Sequence, residues 1–190
     1  MKPRCYIIAL SIVLLVIIYI NRQRVKKTIV EGIDYMLSKE QESFIAKLHP
    51  VAQQKFRTFI SEVQKRTGYR IIITSGFRSF AEQANLYAQN SKNAKPGFSF
   101  HNYGMAIDIN AQNGTTWLRK ASSKQSWTDS GIIDIADEMG FRWGGRFSGY
   151  ADNVHFDLGK DYETASLYNL AVTQYGTNPK NILGNQINIT

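Results

Sequence analysis

The amino-acid sequence predicts an α+β domain, a small antiparallel sheet with flanking helices, preceded by one N-terminal membrane-anchor helix. Three observations lead there. Sixteen consecutive residues, CYIIALSIVLLVIIYI at 5–20, carry no charge. Beyond them, helical and strand-like segments follow one another without the regular alternation of a parallel sheet. The composition, 43% apolar and 12% aromatic over 190 residues, is that of one globular domain with a proper core.

The apolar run is slightly short for a spanning helix, but Tyr6 and Tyr19 can sit at the two interfaces while the flanking Lys and Arg side chains snorkel. The NRQRVKK that follows offers no small-x-small cleavage site, so an uncleaved signal anchor is expected, crossing the membrane through residues 5–20. Cys5, the only cysteine, precedes the run, unlike a lipoprotein acceptor, and excludes an internal disulfide. The net charge of +8 belongs to the flanks of this segment: Lys2, Arg4, Arg22, Arg24, Lys26 and Lys27 are six of the 23 basic residues, and none of the 15 acidic ones precedes residue 28. The remainder is nearly neutral and has no basic stripe interleaved with aromatics, so no nucleic-acid partner is expected.

The chain divides into the anchor with its basic flanks at 1–27, a linker or helical stalk at 28–46, the main domain at 47–160 and a C-terminal tail with a possible helix at 161–190. In the stalk, Ile29, Ile33, Met36, Leu37, Phe44 and Ile45 have loose helical spacing broken by Gly32. An amphipathic helix begins near Pro50, carries Phe56, Phe59, Ile60 and Val63 on one face and ends at Gly68. RIIIT at 70–74 is a short buried strand. SGFRS turns the chain, and Ser79 with Glu82 forms a capping box opening a helix to about Gln89. A Pro-Gly loop at 96 and 97 leads to a strand from Met105. After a polar segment containing Trp117 and Trp127, GIIDIADEMG is a helix closed by Gly140, VHFDL at 154–158 is a strand, and the tail offers a helix around Ala165 to Thr173.

The chemistry gathers in two of these strands. Alternation from Met105 turns Ile107 and Ile109 one way and Asp108 the other. In VHFDL it turns Val154, Phe156 and Leu158 one way and His155 with Asp157 the other. A carboxylate on an enclosed face must be paired, hydrogen-bonded or bound to a cation. His101, Asp108 and His155 together would supply two imidazoles and one carboxylate, leaving a fourth tetrahedral position for water, the ligand count of a catalytic zinc. Spacing alone leaves satisfied core histidines as the alternative.

SFHNYGMAID at 99–108 satisfies S-x-H-x-x-G-x-A-x-D at every fixed position; DNVHF follows downstream and SGFRS stands upstream. With these motifs the chain resembles the VanY-type zinc peptidases, D-alanyl-D-alanine carboxypeptidases and L-alanyl-D-glutamate endopeptidases of bacterial cell walls. The resemblance runs from about Leu48 to Leu158, and LHP and GFRWGG look most like the endopeptidase branch. It implies one Zn2+ held by His101, Asp108 and His155, Asp152 as general base, and Arg78 stabilising the oxyanion or fixing the substrate. Ser99 would support the site or touch substrate, and Trp143 would line the cleft, although an aromatic between a helix and a strand is more often core. His49 is expected to be structural. Arg146 and Phe147 depart from the endopeptidase pattern, where an acidic residue and Trp are usual. The substrate implied is the peptidoglycan stem peptide, with the domain on the extracytoplasmic side of its anchor. The positive-inside count, two basic residues before the run and four after it, points the other way. A D-alanyl-D-alanine carboxypeptidase and a non-catalytic zinc-stabilised wall-binding module are the alternatives, and the sequence assigns no oligomeric state.

Overall fold

The computed structural model describes residues 18–25, 38–178 and 180–189. Residues 18–25 are helical and exposed. The anchor expected at 5–20 lies, apart from residues 18–20, outside the described residues, as does the stalk from 28 to 37. Among the described residues no helix is long and apolar enough to cross a membrane. The chain separates into Met1–Glu40 and Gln41–Thr190, and the second unit carries the fold.

The helices of that unit are α1 (Pro50–Thr67), α2 (Phe80–Gln89), α3 (Lys124–Asp129), α4 (Ile132–Glu138) and α5 (Thr164–Tyr175); its strands are β1 (Arg70–Ser75), β2 (Ala106–Asn113), β3 (Thr116–Leu118), β4 (Arg142–Trp143) and β5 (His155–Asp157). The sheet runs β1-β2-β5-β4, with β3 folded back on β2 as a hairpin, and every pairing is antiparallel. The α+β expectation therefore holds. β3, β4 and α3 are additions to the elements expected. The polar segment after β3 becomes helical because Ser123 caps it, accepting the Ser126 N–H, and Trp127 anchors it at 0% exposure.

The core forms where α1 lies on the sheet. Phe56 and Phe59 meet Phe141 at 4.9 and 5.0 Å between ring centroids, and Phe59 meets Phe156 of β5 at 5.4 Å. His49 is the cap of α1: its Nδ1 accepts the Val51 N–H, and its Nε2 donates to Ile187 O in the tail. Both nitrogens are thereby used in holding structure. At the open edge, Gln41 in the helical residues 38–45 accepts the Ile73 N–H of β1.

Two pairings position the chemistry. Asp108 on β2 faces His155 on β5 in the ladder, and on its other side faces Ser75 of β1, past an irregularity between Ile73 and Ser75. Directly opposed residues have their Cβ atoms within about 5 Å. The register thus carries the Asp108 carboxylate to the His155 ring.

Candidate metal centre

His101 reaches the same point from a 3-10 turn, Phe100–Tyr103, that precedes β2. The turn ends at Gly104, whose φ of 62° is left-handed and whose missing side chain matters: a Cβ there would lie 2.5 Å from the backbone nitrogen of His49. His49 N–H donates to Gly104 O, so the LHP segment and the S-x-H-x-x-G segment are one packed unit. Arg78 N–H donates to His101 O, which ties SGFRS to the same turn.

Three side-chain atoms converge. His101 Nε2 lies 3.1 Å from Asp108 Oδ1, His155 Nδ1 lies 3.0 Å from that oxygen, and the two nitrogens are 3.2 Å apart. The tautomers are fixed from behind. His101 Nδ1 donates to Gly76 O at 2.6 Å, and His155 Nε2 donates to Asp157 Oδ2 at 2.8 Å. Neutral rings so held aim two lone pairs and a carboxylate oxygen at one another, an arrangement that calls for a positive charge between them. The titration behaviour has the same sense. Burial pushes the Asp108 carboxyl up, but His101 and His155 outweigh it and hold it well below the usual carboxylate range. Burial likewise opposes a charge on His155, but its bonds to Asp108 and Asp157 lift its pKa to about 9.

The donor set fits a metal ion. A tetrahedral centre with bonds of ~2.0 Å to nitrogen and oxygen has ligand–ligand edges of about 3.3 Å, close to the observed separations. Second partners on both histidines are the usual support of such ligands.

Asp157 is a residue the sequence reading noted beside His155 and gave no role. It is fully buried and takes four hydrogen bonds: Arg142 Nε and the Gly159 N–H on Oδ1, Arg142 Nη2 and His155 Nε2 on Oδ2. The available signal was His-x-Asp on one face of one strand. Arg142, with its guanidinium over Phe100 and Phe147, had no signal, because its place depends on the β4–β5 pairing.

A cavity of about 490 Å3 opens over these atoms, and Arg78, Ser99, Asp152 and Lys120 line it. Arg78 donates to Gln83 Oε1 at 2.8 Å and Ser75 Oγ at 3.1 Å, and lies 3.8 Å from Asp108 Oδ2. Ser99 makes no side-chain cap to the turn. Asp152 sits on the loop between β4 and β5, whose course is fixed by the Asp152 N–H donating to Gly144 O and the His155 N–H donating to Asp152 O. Its Oδ1 is buried without a hydrogen bond, with Lys120 Nζ 3.7 Å away. Trp143 is placed differently from expectation. It is 1% exposed as part of the hydrophobic core, donates its indole N–H to Asn153 O, and does not line the cavity.

Comparison with known proteins gives the family. Residues 92–158 match the D-alanyl-D-alanine carboxypeptidase family model. The chain is 32% identical over 125 residues to the peptidoglycan L-alanyl-D-glutamate endopeptidase CwlK of Bacillus subtilis, covering 58% of this chain and 73% of that protein. This chain belongs to the VanY-type peptidase family. Solved structures similar to this VanY-type chain include the L-Ala D-Glu endopeptidase ChiX of Serratia marcescens, at 19% identity and a TM-score of 0.46 over 72% of this chain and 90% of that one. Another is the LD-carboxypeptidase LdcB, at 23% identity and a TM-score of 0.43 over 69% and 76%.

Proposed function

We propose that the protein is a zinc-dependent peptidase that hydrolyses peptidoglycan stem peptides, cutting the L-alanyl-D-glutamate bond. The observation that carries the reading is the convergence of His101 Nε2, Asp108 Oδ1 and His155 Nδ1 with both imidazoles tautomerically fixed. Its substrate is supported by the relative CwlK, a peptidoglycan L-alanyl-D-glutamate endopeptidase. The D-alanyl-D-alanine carboxypeptidase reading is kept as the alternative because the family model carries that description.

In this reading, His101, Asp108 and His155 hold one Zn2+, which when bound would lower the pKa of a water molecule and polarise the scissile carbonyl. Asp152 takes the proton released on attack and hands it to the departing amine; a buried carboxylate oxygen with no hydrogen bond has its lone pairs available for that. Arg78, held by Gln83 and Ser75, offers a fixed positive charge to the oxygen on which negative charge develops. Ser99 contacts substrate from the cavity wall. Substrate location supports an anchor at residues 5–20 with the domain on the extracytoplasmic side. A fluorescent reporter that matures only in the cytoplasm, fused after Thr190, should stay dark, and bright cells would reverse the topology.

The decisive experiment digests purified wall and defined stem peptides with the zinc-loaded chain and reads the new termini by mass spectrometry. New L-alanine carboxyl and D-glutamate amino termini, abolished by a chelator and restored by zinc, are expected. Release of terminal D-alanine alone would move the reaction to the alternative. Intact peptides with zinc bound would remove the catalytic reading.

A further inference from the structure

We propose that Lys120, with Tyr150 beside it, forms the part of the cavity that binds the free α-carboxylate of the residue on the leaving side of the scissile bond. This rests on the peptidase reading with Asp152 as base. Of the four cationic side chains that line the cavity, Arg142 is committed to both oxygens of Asp157, Arg78 is held by Gln83 and Ser75 for the developing oxyanion, and Lys92 stands in the loop that follows α2. Lys120 is the one placed by the base. Its Nζ lies 3.7 Å from Asp152 Oδ1, beyond ordinary hydrogen-bond length, and 5.7 Å from the Tyr150 ring centroid. The side chain is 65% exposed. An ammonium offers three donors, and here they stand at the open side of the cavity. Lys120 is held in its charged form: the Tyr150 hydroxyl, and after it the carboxylates of Asp152 and Asp108, outweigh its partial burial and raise its pKa.

The chemistry of the substrate says what those donors would meet. The base delivers its proton to the leaving nitrogen, so in the productive complex that nitrogen lies at Asp152. In a stem peptide cut between L-alanine and D-glutamate, the chain continues through the γ-carboxyl of D-glutamate, and the α-carboxylate is carried on the very carbon that bears the leaving nitrogen. In the alternative reaction the terminal D-alanine has its carboxylate on the same carbon. Both reactions therefore bring an anion beside the base, where the Lys120 ammonium, 3.7 Å from Asp152 Oδ1, supplies a charge of opposite sign. A charge so placed would discriminate against stem peptides in which this carboxylate is a neutral carboxamide, because the amide carries no charge and offers the ammonium one acceptor oxygen in place of two.

The test uses the full chain loaded with zinc and two synthetic stem peptides identical except for carboxylate or carboxamide at that position. The parent protein should prefer the acid by about tenfold in kcat/KM, the order expected of one charge-assisted hydrogen bond at a partly exposed site. Lys120→Met should bring the ratio to within about twofold by slowing the acid peptide only, and Lys120→Arg should keep most of the preference. Equal losses on both peptides, with zinc content and melting temperature unchanged, would overturn the proposal and make Lys120 a positioning residue for Asp152. If neither peptide is cut by the parent, the peptidase reading fails separately. Calorimetric titration of the same two peptides then decides the carboxylate site by itself: tighter binding of the acid, lost in Lys120→Met, supports it, and equal binding refutes it.

Discussion

Asp157→Asn tests whether the carboxylate behind His155 governs both the metal centre and the fold. The substitution keeps shape and removes one acceptor oxygen together with the charge. Each carboxylate oxygen of Asp157 now accepts two bonds at 2.8–2.9 Å, from Arg142 Nε and the Gly159 N–H on one side and from Arg142 Nη2 and His155 Nε2 on the other. An asparagine oxygen can keep one pair; its NH2 then faces the other two donors. Removing one partner of a fully buried ion pair costs about 3–5 kcal/mol. Here Asp157 is buried but the Arg142 side chain is 41% exposed and can turn to water, so the expected loss is about 2–4 kcal/mol, a drop of roughly 5–15 °C in Tm for a domain of this size. Zinc affinity should fall by about 10- to 100-fold, the usual consequence of losing the group that orients a histidine ligand. The two effects separate by measurement: melting in excess chelator reads the fold, and competition with a chromophoric chelator at a temperature where both proteins are folded reads the site. A variant with parental zinc affinity, whatever its Tm, would refute the claim that Asp157 sets the His155 tautomer for metal.

Asp152→Asn should keep zinc and lose about 10²- to 10⁴-fold in turnover on stem peptides, the range for a positioned acid or base; parental turnover with zinc bound would remove Asp152 from that role. In chelator, stability should depend on pH through His155. Its folded pKa of about 9 lies above the ordinary ~6.5, so its contribution is complete below pH 6.5 and is lost as pH rises through 9, on the order of 3 kcal/mol in all. Melting curves over that window should flatten when zinc replaces the proton, and a chelated protein whose Tm rises toward pH 9 would contradict the sign. Gly104→Ala should cost at least ~2 kcal/mol, because φ is 62° and the new Cβ would meet the His49 nitrogen at 2.5 Å; a Tm within 2 °C of the parent would show that the backbone yields there.

Much of the site was legible because its ligands lie on strands, where a period of two decides which way a side chain turns. Asp108 and His155 could each be assigned a face from their apolar neighbours, and the ladder then made them partners. His101 was legible through the pattern around it, while its 3-10 turn has no periodicity to announce it. What could not be read depended on pairings between segments far apart in sequence. β4 is two residues long and gains its identity from β5, so the Arg142–Asp157 clasp was out of reach. Trp143 had two readings, a cleft wall or a core aromatic between a helix and a strand, and the indole takes the second, in the core. The helix at Lys124–Asp129 was hidden by its polar surface, one tryptophan being its entire apolar face.

Gln41 has a practical consequence for anyone preparing a soluble fragment. β1 ends the sheet, and the Gln41 side chain occupies its outward Ile73 N–H from residues that precede the sequence motifs. A fragment begun at Leu48, where family resemblance starts, would discard that plug and leave an apolar border strand bare. Bare borders recruit other chains, so such a fragment should form oligomers or precipitate at concentrations where one begun before Ser38 stays dispersed. The leading residues of the second unit thus act as a guard against intermolecular strand addition.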